Sequence, residues 1–344
     1  MEQDSQDARI IPLADEARRK ATRVTPGEVA ANARAARRAQ QRETLRRFDP
    51  PAQVVEGDEP GVVSGLFGDP RLRAWAQFLQ RRMRGQYLVD EYGYDEELTE
   101  EMLLPLLRPM YHRYWRVEVR GIENVPDDGP AILACNHSGV IPWDAAMLLV
   151  AVKEEHPARP VLRILTSDMH WAMPVVSHLS RKAGNTVAND TDALRMLFEG
   201  EIVAMFPEGF KGIGKQFRDR YRLQRFGRNS FVEVAMRTGA PIIPVGIVGA
   251  EETYPMLANA TPLARLLGLP YFPVTPLFPW LGPAGLTPLP SKWIVEFGEP
   301  IDTASYGPEA AADSMTVFHV GDGVRDTIQQ ILYRNLMHRR TWFW

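Results

Sequence analysis

Ala131-Ile132-Leu133-Ala134-Cys135-Asn136-His137-Ser138-Gly139-Val140-Ile141-Pro142-Trp143-Asp144 is the stretch on which the fold turns. Its first five residues form a short, uninterrupted apolar run, the pattern of a strand buried on both faces. A polar loop containing Gly139 and Pro142 follows. From Asp144 to Val152 the residues suit a helix. Strand, loop and helix in that order make the repeating unit of a parallel sheet.

Working outward, the same alternation continues. Upstream, a strand is expected over Trp115 to Val119, with Gly121 and the turn Pro126-Asp127-Asp128-Gly129-Pro130 leading into Ala131. Before it, residues 61–109 carry Leu66, Phe67, Leu72, Trp75, Phe78 and Leu79 at helical spacing, and Leu98 to Tyr114 reads as a further helix. Downstream, strands are expected at Pro160 to Leu165, Ile202 to Phe206, Pro241 to Val248 and Trp293 to Phe297. Between and after them come a helix-rich stretch to Lys182 and helices at Asp192 to Glu199, Ser230 to Thr238 and Met315 to Arg339. The fold class is therefore α/β with a largely parallel central sheet, preceded by a helical N-terminal region. No internal repeat is visible.

Three parts are distinguished. Residues 1–60 read as a basic, Arg/Ala-rich tail: between Glu16 and Phe48, Arg18, Arg19, Lys20, Arg23, Arg34, Arg37, Arg38, Arg42, Arg46 and Arg47 are opposed only by Glu16, Glu28 and Glu43. Its scarcity of large apolar residues suits a solvated tail, or a segment drawn to anionic lipid headgroups. Residues 61–114 are the helical region, and 115–344 form the main domain. Within that domain 254–290 is rich in Pro, Leu and aromatics (Tyr271, Phe272, Phe278, Trp280) and nearly free of charge. It reads either as a packed surface loop or as a lip that meets lipid or lines an acyl channel.

With 344 residues, 45% hydrophobic and 24% charged, the chain has the make-up of an ordinary folded protein. A net charge of −3 gives no argument for nucleic acid. The single cysteine, Cys135, precludes an intrachain disulfide and a multi-cysteine metal site, which fits a reducing compartment. No secretory signal and no run of about 18 apolar residues is present, so no spanning helix is expected. The expected location is cytoplasmic, lying on a membrane surface.

The chemistry is expected at Asn136-His137-Ser138, directly after the buried strand. A lone histidine there would more often be structural; a carboxylate downstream, Asp144, changes the reading. On a continuous helix seven positions span about 10 Å of rise, too far for a hydrogen bond. Gly139 permits an unusual turn and Pro142 favours a helix start, so a loop can carry His137 back to Asp144. Asp144 would then fix the ring tautomer and leave the other nitrogen free to deprotonate a hydroxyl. Alone, Asp144 reads as a helix N-cap.

A second constellation, Phe206-Pro207-Glu208-Gly209-Phe210-Lys211-Gly212, also follows an apolar strand, where ligands bind in α/β sheets. The basic run after it (Lys215, Arg218, Arg220, Arg222, Arg225, Arg228) is either a solvated face or a phosphate-binding group.

These two blocks resemble the glycerolipid acyltransferase superfamily, in which an Asn-His motif with a following Asp precedes a Pro-Glu-Gly block. Ala240-Pro241-Ile242-Ile243-Pro244-Val245 resembles that family's downstream strand motif, and the resemblance spans roughly residues 115–300. It implies an α/β sandwich attached to a membrane interface, with His137 as general base and Asp144 orienting it. Glu208, Gly209 and Lys211 would surround the acceptor's glycerol or phosphate, with Asn136, Ser138, Lys215 and Arg222 in support. The implied partners are an acyl thioester donor (acyl-coenzyme A or acyl carrier protein), a glycerolipid acceptor and the lipid surface. The thioester is a co-substrate, and neither a resident cofactor nor a metal is expected.

Three features depart from the family pattern. Six residues separate His137 from Asp144 where four are usual. Phe210-Lys211 stands where Thr-Arg usually follows Glu-Gly. The Arg-containing second block has its nearest counterpart in Gly184-Asn185-Thr186-Val187-Ala188-Asn189. The resemblance is then closer to the monoacylglycerol and diacylglycerol acyltransferase branch. Competing expectations are a hydrolase with Ser138 or Cys135 as nucleophile, although no Gly-x-Ser-x-Gly elbow exists, and a non-catalytic lipid-binding protein. His137, His170 and His178 show no metal-ligand spacing.

Overall fold

Apolar runs too short for a core helix become the strands, and the amphipathic runs between them pack as helices on the two faces. The computed structural model describes residues 70–138, 141, 143–166, 174–227, 229–267, 271–339 and 341. The tail expected over 1–60, with Leu66 and Phe67, lies outside them.

Helix α1 (Pro70–Met83) opens the described chain. A helical stretch over 96–114, α2, follows. Asp95 caps it, accepting from the Leu98 N–H, and it passes through two wide π-type turns at Thr99–Leu103 and Met110–Tyr114. The main domain then alternates: β1 (Glu118–Arg120), β2 (Ala131–Cys135), α3 (Trp143–Glu155), β3 (Leu162–Thr166), α4 (Pro174–Lys182), β4 (Asn185–Val187), α5 (Asp190–Phe198) and β5 (Ile202–Met205). After these come α6 (Phe210–Ile213), α7 (Ser230–Thr238), β6 (Ile242–Val248), β7 (Ala258–Asn259), α8 (Thr261–Leu266), β8 (Pro273–Val274), β9 (Ile294–Phe297) and α9 (Ser314–His338).

Seven strands form one sheet in the order β1-β9-β6-β2-β5-β3-β4. All its pairings are parallel except β6 with β9, which places β2 and its loops at the centre. The continuous apolar character of β2 follows from that position. Leu133 and Cys135 join a core with Leu104, Tyr111, Trp115 and α3. Ile132 and Ala134 join an opposite core with Met196, Phe231 and Val324. Alternating residues thus face two separate cores, and neither face tolerates a polar residue.

Where the structure departs from the sequence expectations, the causes are local. The helical pattern of 61–109 is interrupted after Met83, where Gly85 takes a left-handed φ of 71° and the chain turns. The strand expected from Trp115 begins at Glu118. Trp115 is instead drawn into the core, stacked 4.8 Å from Trp293, while its N–H closes the last turn of α2 on Met110. Strand β4 was not expected, since Asn-Thr-Val has no apolar run. It pairs only with β3 at the sheet edge, where burial imposes no such run. The apolar segment 254–290 contains the small ribbon of β7 and β8 and the helix α8. No described helix is long and apolar enough to cross a membrane.

Candidate active site

The site forms where β2, β5 and β6 end side by side. Asn136 is fully buried, and its side chain continues the sheet beyond the last residue of β2. Its Oδ1 accepts from the Ile247 N–H at 2.7 Å and its Nδ2 donates to the Ile247 carbonyl at 3.0 Å. The amide therefore mimics one rung of the ladder to β6 and fixes the point at which the chain leaves the sheet.

The next residue carries the reactive group. His137 Nδ1 lies 2.7 Å from Asp144 Oδ2, so the loop closes the seven-residue separation as expected. Asp144 sits in the first turn of α3. Its Oδ2 also accepts from the Ser138 N–H at 2.9 Å, and its Oδ1 from the Ala145 N–H at 2.8 Å. The carboxylate is thus both the orienting partner of the imidazole and part of the helix start. With Nδ1 facing an acceptor-only carboxylate, the proton resides there and Nε2 is left as the base. The Asp144 side chain is completely shielded while that of His137 is 15% exposed, so the imidazole alone is open to an incoming hydroxyl. Its ring packs 4.5 Å from that of Phe206.

The Pro-Glu-Gly block braces this arrangement from the neighbouring strand end. Gly209 adopts φ 55° and ψ −142°, a combination open only to glycine, and its N–H returns to the Phe206 carbonyl at 3.0 Å. Gly212 is glycine for another reason. A β-carbon there would stand 2.9 Å from His137 Cβ, His137 O and Glu208 Cβ. The Glu208 carboxylate is fully buried. Its Oε1 accepts from the His137 N–H at 3.0 Å, and its Oε2 from the Gln224 N–H at 2.7 Å and from Lys215 Nζ at 3.3 Å.

Lys215 also reaches Glu251 Oε1 at 3.1 Å, while Glu251 Oε2 accepts from the Tyr221 N–H at 3.0 Å. Burial pushes the Glu251 carboxyl up to about 7, with Lys215 pulling the other way. Burial works against the Lys215 ammonium, but Glu251 and Glu208 outweigh it and hold its pKa above the usual lysine value.

The expected site residues therefore divide. Asn136, His137, Ser138, Asp144 and Glu208 come together. Glu208 is turned inward, its carboxylate accepting from the His137 and Gln224 N–H groups and from Lys215. Lys215 is turned inward on two carboxylates instead of outward to a phosphate. Lys211, Gly209 and Arg222 are exposed, as are Arg218 and Arg225, whereas Arg228 lies outside the described residues. The nucleophile readings lose their geometry. Ser138 Oγ is buried and lies 3.5 Å from Asp144 Oδ2, on the carboxylate side of the dyad. Cys135 is fully buried in the sheet, where burial holds its thiol well above the usual range. His178 lies on α4, and His170 is outside the described residues.

Sequence reasoning missed Glu251, whose only signal was a pair of acids, Glu251-Glu252, directly after a fully buried strand. It also missed how segment 254–290 is joined to the dyad. Trp143, next to Asp144, donates from Nε1 to the Tyr254 hydroxyl at 3.1 Å, and that hydroxyl donates to the Leu286 carbonyl at 2.8 Å. Burial and the charge of Asp144 push the Tyr271 phenol up to about 12, and its ring lies against Gly214 beside α6.

The acyltransferase family model matches residues 116–248, which include both blocks. An uncharacterized protein of Mycobacterium tuberculosis is 56% identical over 270 residues, 78% of this chain and 75% of that protein. A Bos taurus protein named DGAT1/2-independent enzyme synthesizing storage lipids is 23% identical over 65% of this chain and 60% of its own length. The crystal structure of the 1-acyl-sn-glycerophosphate (LPA) acyltransferase PlsC from Thermotoga maritima superposes with a TM-score of 0.48 at 18% identity. That match covers 78% of this chain and 90% of PlsC.

Proposed function

We propose that the chain is a member of the glycerolipid acyltransferase superfamily and that it moves a fatty acyl group from an acyl thioester to a glycerolipid hydroxyl. The acceptor is a lysophospholipid such as lysophosphatidic acid, or a mono- or diacylglycerol. The donor is acyl-coenzyme A or acyl carrier protein. The observation that carries the reading is the 2.7 Å contact between His137 Nδ1 and a wholly shielded Asp144, with the imidazole alone partly open.

In this mechanism the acceptor O–H gives its proton to His137 Nε2 as its oxygen attacks the thioester carbonyl carbon. Asp144 stabilises the imidazolium that forms. Collapse of the tetrahedral intermediate breaks the carbon–sulfur bond, and the departing thiolate takes the proton from imidazolium. Ester and free thiol are the products, no acyl-enzyme forms, and the base is restored. Lys211, exposed one residue from Gly212, is the cation offered to the acceptor's headgroup.

The acceptor must come from a membrane, and segment 254–290 supplies a surface suited to lipid. It contains no acidic residue. Leu263 and Leu266 lie on one face of α8, Leu267 follows at its end, and Leu266 is 80% and Trp280 73% exposed. We place this surface against the membrane, on the cytoplasmic side. The storage-lipid relative favours a neutral acylglycerol among the acceptors.

The test is acyl transfer from labelled acyl-coenzyme A to lysophosphatidic acid, other lysophospholipids, monoacylglycerol and diacylglycerol in liposomes. The wild-type chain should esterify at least one of them, and His137→Ala should abolish transfer while leaving folding and liposome binding intact. Turnover by His137→Ala near the wild-type rate would defeat the mechanism.

A further inference from the structure

We propose that Lys215 and Glu251 are positioning residues of the His137–Asp144 dyad, acting through the Glu208 carboxylate that holds the His137 backbone. The inference rests on the reading above in taking His137 as the base, but its test does not require turnover.

Two carboxylates and one ammonium are buried together here. The side chains of Glu208, Lys215 and Glu251 are 0%, 5% and 6% exposed. Taking such charges out of water costs several kcal/mol per ion, and apolar residues of similar volume often serve stability equally well. The cluster is therefore better explained by what it holds in place. Each carboxylate gives one oxygen to Lys215 while accepting backbone N–H groups from loops that have no sheet ladder of their own. Glu208 takes those of His137 and Gln224, and Glu251 takes that of Tyr221. The Tyr221 hydroxyl in turn accepts from the Gly249 N–H at 3.0 Å, at the end of β6. Lys215 is thus the centre of a staple joining the loops after β2, β5 and β6.

The asymmetry of the staple gives Lys215 its role. Ionised, Glu208 has acceptor lone pairs for all three of its donors. Without the ammonium it would be a buried anion beside a second carboxylate, and like charges so placed favour protonation. A neutral carboxyl is a much weaker acceptor than a carboxylate, so its hold on the His137 and Gln224 N–H groups slackens. The backbone of His137 would then loosen, although neither Lys215 nor Glu251 touches the imidazole.

The experiment compares Lys215→Met with Arg339→Met. Arg339 forms another buried ion pair, with Glu252 Oε1 at 2.8 Å and side chains 3% and 6% exposed, and so controls for the loss of a buried cation as such. Both variants should melt below wild type. Lys215→Met should lose about tenfold or more in kcat, with KM for the thioester held within about twofold, because a misplaced base slows chemistry more than binding. Arg339→Met should keep kcat within about twofold of wild type. Hydrogen–deuterium exchange of the peptide covering residues 136–138 should speed up in Lys215→Met and not in Arg339→Met.

A Lys215→Met protein that melts early yet keeps both kcat and slow exchange at 136–138 would overturn the proposal. So would equal loss of kcat in the two variants. Should Lys215→Met not fold, Glu251→Gln decides. At pH 8, where Glu251 is ionised, it leaves Lys215 with one counter-charge, so faster exchange at 136–138 is expected, and unchanged exchange sinks the idea. A wild-type chain that transfers no acyl group to any acceptor would refute the proposed activity, while the exchange measurement would still judge the staple.

Discussion

Replacing Gly212 with alanine tests, with a single methyl group, whether the Pro-Glu-Gly block sets the position of the base. Gly212 has no left-handed φ, so alanine meets no backbone penalty there. Alanine should even favour the short helix α6 by about 1 kcal/mol. Against that, the new carbon would stand 2.9 Å from His137 Cβ, His137 O and Glu208 Cβ at once. Carbon–carbon contacts are comfortable near 3.5–4 Å, so His137 and Glu208 must yield by about half an ångström or more. Overpacking of this kind costs about 1–3 kcal/mol, which leaves the net stability change within about 2 kcal/mol. Catalysis should suffer out of proportion, since a displacement approaching 1 Å at a reacting group costs on the order of 100-fold. Steady-state acyl transfer and urea unfolding should be measured on the same preparations. Gly323→Ala provides the control: it lies within α9, its added carbon meets nothing within 4 Å, and it should gain stability at unchanged kcat. A folded Gly212→Ala protein with wild-type kcat would refute the packing argument.

Two further outcomes follow from the same geometry. Asp144→Asn preserves shape but brings an amide NH2 against either the Ala145 N–H or the pair formed by the Ser138 N–H and His137 Nδ1–H. With the charge that stabilises imidazolium also gone, kcat should fall on the order of 10³-fold, and a change confined to KM would contradict the role of Asp144. The raised Glu251 carboxyl predicts a pH dependence of stability. The folded protein holds this proton up to about pH 7 where the unfolded chain, at the ordinary glutamate value of 4.5, has released it. The associated stability is complete below the unfolded value and is lost as pH rises through 7. The loss amounts to about 3 kcal/mol, and the unfolding free energy of wild type minus Glu251→Gln should fall by that amount between pH 5 and 8. A difference independent of pH would show that Glu251 is ionised throughout.

Much of this architecture is legible in the chain because burial on two faces leaves a plain mark. Strands β2, β5, β6 and β9 fall within a residue or so of the apolar runs that announce them, and α7 spans Ser230–Thr238 as its pattern requires. The meeting of His137 with Asp144 was legible too, since a glycine and a proline in the sequence between them allow a returning loop. Edge strand β4 left no such mark. Nor did the fates of Glu208 and Lys215, because a motif reports residue types and not which way they point. Lys215 sits in a run of arginines that mostly face solvent, and only the fold shows that this one cation turns towards two acids. Glu251 was hidden for the same reason, its partner being 36 positions away in sequence.

The placement of β9 has a consequence for biosynthesis. Among the described residues, strand β1 pairs with no strand but β9, through Glu118 with Ile294, Val119 with Val295 and Arg120 with Glu296. One edge of β6 likewise waits for β9. A chain emerging from the ribosome can assemble β2, β5, β3 and β4 early. It must carry an unpaired β1 and an open flank on β6 until residue 297 has been made. Nascent chains halted before that point should therefore be the form that chaperones hold and that sticks to its neighbours, and completion of the sheet becomes a late, nearly whole-length event.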